Sequence, residues 1–142
     1  MFRIITGIIC LFILAGCGFQ HFAYLEMPNG QVIKAKMAIT PYEKVTGLSN
    51  LPSISKKEGM LFIEKEPQAV RFWMKGMRFP LDIIFLNRDK KVLEIHAGEQ
   101  PCSETEDCQI IESATGDVQY GLEVASGAAK ELGIELNSIL KW

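Results

Sequence analysis

The stretch Phe72-Trp73-Met74-Lys75-Gly76-Met77-Arg78-Phe79-Pro80-Leu81-Asp82-Ile83-Ile84-Phe85 decides how the rest of the chain is read, because it sets two strand candidates around one turn, like a hairpin. Side chains alternate between faces along a strand. From Ala69 to Lys75 this puts Val70, Phe72 and Met74 on a core face, and Arg71, Trp73 and Lys75 on the other. Trp73 thus shares its face with cations. Either Arg71 and Lys75 lay their stems along the indole as a covered surface patch, or the patch is a ligand platform. On the second view Trp73, Arg71, Lys75 and Arg78 are the candidate binding residues. Gly76 breaks the strand, residues 77–79 turn it, and Pro80 fixes the entry of the next. Leu81 to Leu86 is apolar on both faces apart from Asp82, the pattern of a central strand. A carboxylate entering such a strand needs a cation, backbone donors or a proton. An ion pair to Arg78, Arg71 or Lys75 that pins the turn is the expectation, with a functional acid as the alternative.

Outward toward the start of the chain, Arg3 precedes an apolar run from Ile4 to Ala15 and then Leu14-Ala15-Gly16-Cys17. The run is shorter than the roughly 20 residues that span a bilayer. It has the form of a signal peptide over residues 1–16. Small residues directly before a cysteine resemble the lipobox of bacterial lipoproteins, so Cys17 is the expected lipidation site and residues 17–22 a lipidated tether. An exported protein, lipid-anchored to the bacterial cell membrane or envelope, follows. Residues 23–142 suit one domain, expected to be monomeric. The net charge of −2 is too mild to argue for a nucleic-acid partner.

Of the four cysteines, Cys10 leaves with the signal peptide and Cys17 takes the lipid. Cys102 and Cys108 remain to close the short loop CSETEDC, and an oxidising compartment favours a disulfide. Two thiolates without a histidine at ligand spacing make half a zinc site at best. No metal and no cofactor are implied.

Elsewhere, Ala23 to Ile39 has the alternation of a hairpin turning at Asn29-Gly30. Thr40-Pro41-Tyr42-Glu43 is a capping box, which predicts a helix from Pro41 to about Thr46 that stops at Gly47. Residues 59–63 read as a buried strand and 64–68 as a turn. Strands follow at 92–97 and 118–125, with Glu123 opposite the apolar set Tyr120, Leu122 and Val124. Ser126 is placed to cap a short helix through Leu132, and Ile134 to Trp142 closes the domain as a last strand. These elements make a mainly β fold, a single β-sandwich or barrel-like domain with two short helices.

Several blocks then carry a family likeness: Gly47-Leu48, Gly59-Met60-Leu61-Phe62, Phe72-Trp73-Met74-Lys75, Pro80-Leu81-Asp82-Ile83-Ile84-Phe85-Leu86, Pro101, Leu122-Glu123-Val124, Gly127 and Gly133-Ile134. In order and spacing they resemble the bacterial and archaeal family called domain of unknown function 192, also uncharacterised protein family 0127. The likeness runs from about Ile33 to Leu140. It implies a small β-rich domain, often exported, with no established activity. Lys75-Gly76-Met77 stands where the family tends to have Lys-Asn-Thr, and Asn137-Ser138 where it has Gly-Asp. The first change removes polar groups beside Trp73.

Three functions compete. The first is a noncatalytic, envelope-tethered binding or accessory domain that takes a glycan or another envelope protein at the Trp73 patch. The second is a hydrolase of an extracellular polymer with Asp82 and Glu123 as paired carboxylates. The third is a thioether copper(I) site from Met74, Met77 and Met60 with His96, although methionines beside aromatics more often fill gaps in a core.

Overall fold

The computed structural model describes residues 20–142 apart from Glu104 and Glu106. The signal peptide, Cys17 and the first part of the tether lie outside the described residues. In chain order the elements are β1 (Phe22–Glu26), β2 (Val32–Ala38), α1 (Pro41–Thr46), β3 (Glu58–Gln68), β4 (Arg71–Phe72), β5 (Leu81–Leu86), β6 (Val92–Glu99), β7 (Ile111–Glu112), β8 (Val118–Ala125) and α2 (Ala128–Glu131). Six strands form one open sheet in the order β1-β2-β3-β8-β5-β6, and β4 pairs with β7 in a separate two-stranded ribbon. The fold is mainly β, as expected, and its sheet is not closed.

The sheet is antiparallel except between β2 and β3. Parallel neighbours need a crossover, and here α1 and residues 47–57 supply it. The capping box forms as read. Thr40 Oγ1 accepts from Glu43 N, while Glu43 Oε2 accepts from Thr40 N and Ile39 N. Those backbone N–H groups, Thr40's first, hold the Glu43 carboxyl down near 2.

All six residues of β5 are buried, so the central-strand expectation holds. Its partners are β6 and β8. One face of the sheet carries Leu25, Ile33, Leu61, Ile84, Leu122 and Val124 under α2 and Leu140. The other carries Met60, Phe62, Ile83 and Phe85 under Val70, Met74 and Ile111. The turn of the first hairpin also holds α2 from below, with Asn29 Nδ2 donating to Glu131 O at 2.8 Å and Asn29 N to Leu132 O at 3.2 Å.

Four details depart from the sequence expectation, each through a long-range contact. Residues 72–85 are not a hairpin, because β4 pairs with β7 rather than with β5. Residues 64–68 continue β3 past an irregularity instead of turning. The C-terminal segment forms no strand, only isolated bridges at Glu26–Lys141 and Lys91–Ile139. Ser126 does not cap α2, whose N-cap is Gly127 with no side-chain cap bond of its own.

Aromatic packing of the ribbon depends on a glycine. A Cβ at Gly121 would lie 2.6 Å from Phe72 Cζ. The Phe72 ring has little room to retreat, with its centroid 4.8 Å from that of Phe62 and 5.3 Å from that of Phe85. Gly121→Ala is expected to cost about 1 to 3 kcal/mol through overpacking. Urea unfolding followed by tryptophan fluorescence measures the loss, and the native emission of Trp73 should shift as its neighbour Phe72 is displaced.

Candidate functional site

Between the α1 exit and the β4 ribbon lies an open cleft of about 230 Å³. Lys44 to Ser49 form one wall, Val70 to Trp73 with Lys75 and Met77 the other, and Phe62 and Glu123 lie at its base. The walls are built by different routes. The capping box and Gly47 bring the first across the sheet. The second stands over the sheet because Val70 and Met74 point into the core, which turns Trp73 outward with 41% of its surface exposed.

A disulfide between Cys102 and Cys108, with Cα atoms 5.8 Å apart, closes the loop next to this second wall. Cys102 N donates to Met74 O at 3.0 Å and Gly76 N to Cys102 O at 2.9 Å. The cross-linked loop therefore fixes the backbone on either side of Lys75. Glu104 and Glu106 of that loop lie outside the described residues.

Three cations line the cleft, and two are already paired. Lys44 Nζ meets Glu64 Oε2 at 2.8 Å, and Arg71 Nε meets Glu112 Oε1 at 3.1 Å. Lys75 has no ion-pair partner among the described residues. Arg78, expected with this group, is exposed on a bend outside the cleft.

Glu123 is the distinctive group. Its neighbours across the sheet are Met60 on β3 and Ile83 on β5, both apolar. The residue is 5% exposed, and its Oε2 has no hydrogen-bond partner among the described residues. An unpaired buried carboxylate is costly enough that the group takes a proton instead. Burial pushes the Glu123 carboxyl up to about 8. At neutral pH it is a carboxylic acid, with one O–H donor as well as acceptor oxygens.

Asp82, the other acid singled out, has a different fate. It is 1% exposed and accepts from Gly98 N at 2.9 Å and from Ala129 N at 3.0 Å. The expected ion pair to Arg78, Arg71 or Lys75 does not form. Backbone donors replace it, and Asp82 supplies to α2 the cap that Ser126 does not. Asp82 lies opposite Val124 and Ile83 opposite Glu123, so the two acids point to opposite faces of the sheet. They do not share a cleft, and the paired-carboxylate arrangement is not built.

The sulfur set is likewise core. Met60 and Met74 are buried in the layer beneath the ribbon, and Met77 packs against it. His96 Nε2 contacts Glu94 Oε2 at 3.2 Å, and its ring rests 5.2 Å from that of Phe85. No group of three or more His, Cys, Asp or Glu is placed to hold a metal among the described residues. Phe62, Lys44 and the α1 exit were not foreseen as parts of a site, since only the β2–β3 crossover brings them beside Trp73.

The raised Glu123 value fixes a pH dependence. In the unfolded chain the carboxyl ionises near 4.5, whereas in the fold it keeps its proton to about 8. Folding takes up a proton between those values, so the stability contribution is full below about 4.5 and is lost as pH rises toward 8. Glu123→Gln keeps the shape without the titration. Urea denaturation should find variant and wild type close at about pH 5, with the variant ahead by about 2 to 4 kcal/mol at about pH 8. A gap that does not change with pH would contradict the protonated state.

Comparison with known proteins follows the same outline. A crystal structure of a protein of unknown function from Novosphingobium aromaticivorans DSM 12444 superposes with a TM-score of 0.78 at 28% identity, covering 89% of each chain. A second, from Sinorhizobium meliloti 1021 and provisionally described as a transcription regulator, gives a TM-score of 0.74 at 30% identity, covering 87% of this chain and 97% of that one. No curated protein matches significantly. The family model of DUF192, described as an uncharacterized ACR, matches residues 24–142. The chain belongs to the DUF192 family.

Proposed function

We propose that this protein is an exported, membrane-tethered binding domain of the bacterial envelope, anchored through Cys17, and that its ligand enters the cleft between α1 and the β4 ribbon. Glu123 carries the proposal. A buried carboxyl oxygen without a partner destabilises the fold unless something else compensates, and Glu123, whose Oε2 has none among the described residues, lines an open cleft beside an exposed tryptophan. Apolar and aromatic surface with a few convergent polar groups is the usual make-up of a small-molecule site, and here Phe62, Phe72 and Trp73 supply the aromatic part. At about 230 Å³ the cleft is below the roughly 300–1,000 Å³ of drug-sized sites, which suits one residue of a glycan better than a folded partner. Binding without catalysis fits best, because Asp82 serves α2 from the other face of the sheet. A nucleic-acid role on the pattern of the Sinorhizobium description gains no support from a net charge of −2.

The test uses the full chain solubilised from membranes in mild detergent and applied to immobilised envelope glycans, beside Trp73→Ala. Wild type should be retained and the variant lost, while Cys17→Ser should move the protein out of the membrane fraction without altering retention. Equal retention of wild type and Trp73→Ala, or none of either, would overturn the site.

A further inference from the structure

We infer that the cleft selects an acidic N-acyl sugar, with its acyl carbonyl against Glu123, its ring on Trp73 and its carboxylate at Lys75. This rests on the cleft being the binding site and goes on to name the ligand's chemistry. Three observations specify the three parts.

Glu123 enters the cleft from the buried sheet, with apolar Met60 and Ile83 as its cross-strand neighbours and Phe62, Phe72 and Val70 among the cleft residues. A protonated carboxyl there donates one hydrogen bond, and those apolar neighbours offer no partner to further polar atoms. An acetyl group fits both demands, since its carbonyl accepts the O–H and its methyl packs on the rings. A hydroxyl-rich face would leave donors buried and unpaired at the same place.

Of the aromatic residues that line the cleft, Trp73 is the exposed one, and its indole is a flat surface for the apolar face of a pyranose. Charge then decides the outer end. An amine would meet a lining of net positive charge, since Lys44, Arg71 and Lys75 outnumber Glu64 there. Lys44 and Arg71 are matched by Glu64 and Glu112, and Lys75 is the cleft cation without an ion-pair partner among the described residues. The hydrogen bonds of Met74 and Gly76 to Cys102 hold the Lys75 backbone in place, so the ammonium is presented from a fixed point.

Calorimetric titration of the full chain in detergent with small probes separates these parts. N-acetylmuramic acid should bind. N-acetylglucosamine, which lacks the carboxylate, and muramic acid, which lacks the acyl group, should each bind at least about tenfold more weakly, the size expected for one hydrogen bond to a charged or buried group. Lys75→Ala should bring the affinity for the acidic sugar down to that for the neutral one. Glu123→Gln, which keeps a donor in place, should retain binding that Glu123→Ala loses. Circular dichroism confirms that each variant is folded.

Equal affinity for N-acetylglucosamine and N-acetylmuramic acid would overturn the assignment of Lys75 while leaving the cleft as a binding site. Equal affinity for N-acetylalanine, which has the acyl group and the carboxylate but no ring, would overturn the sugar. Failure of every probe, on a protein that still requires Trp73 to be retained by envelope glycans, would overturn the inference alone. Loss of that Trp73 dependence as well would overturn the underlying site.

Discussion

The pairing of β5 with β8 sets Asp82 opposite Val124 and Ile83 opposite Glu123. Because side chains alternate along a strand, this register sends two buried acids to opposite faces of one sheet. The rest of the structure follows from how each face treats its acid. Beneath α2, Asp82 meets the N–H groups of Gly98 and Ala129, so one carboxylate ties β6 and α2 to the central strand. Beneath the ribbon, Glu123 finds Met60 and Ile83 across the sheet and no donor for its Oε2 among the described residues. A one-residue slip of either strand would exchange the two environments and leave α2 without its cap.

The apolar packing is arranged around that second acid. Gly121, two residues earlier on the same face of β8, gives up its side chain so that Phe72 can lie on the strand between Phe62 and Phe85. The ribbon is thereby held close to the sheet on one side of Glu123. The capping box and the Lys44–Glu64 pair hold α1 on the other. A buried acid without a donor between two packed walls is a local breach of folding rules, and such breaches tend to mark the places where proteins work. The disulfide loop adds to this rigidity by bonding the backbone on both sides of Lys75.

Much of this was legible from residue order. The apolar run of β5, the turn at Asn29-Gly30, the capping box and the inward set Val70, Phe72 and Met74 are local patterns, and each appears where it was expected. What stayed hidden depended on partners far away in sequence. Nothing between residues 72 and 85 announces that β4 pairs with residues 111–112 instead of with β5. A Ser-Gly pair before α2 reads as a cap until Asp82 arrives from another strand. The site was half visible for the same reason. Trp73, Arg71, Lys75 and Glu123 stood out as candidates and line one cleft, whereas Arg78 and Asp82 lie outside it. Lys44 and Phe62 gave no local sign of belonging to a site.

The central claim is that Glu123 holds a proton at neutral pH in a cleft shaped to use it. Site-resolved carbon-13 NMR of the side-chain carboxyls, assigned through Glu123→Gln, measures this directly in the full chain. The account predicts that the Glu123 resonance titrates near 8. A midpoint close to the ordinary 4.5 would contradict it, because the group would then be an ionised carboxylate with a partner or solvent of its own.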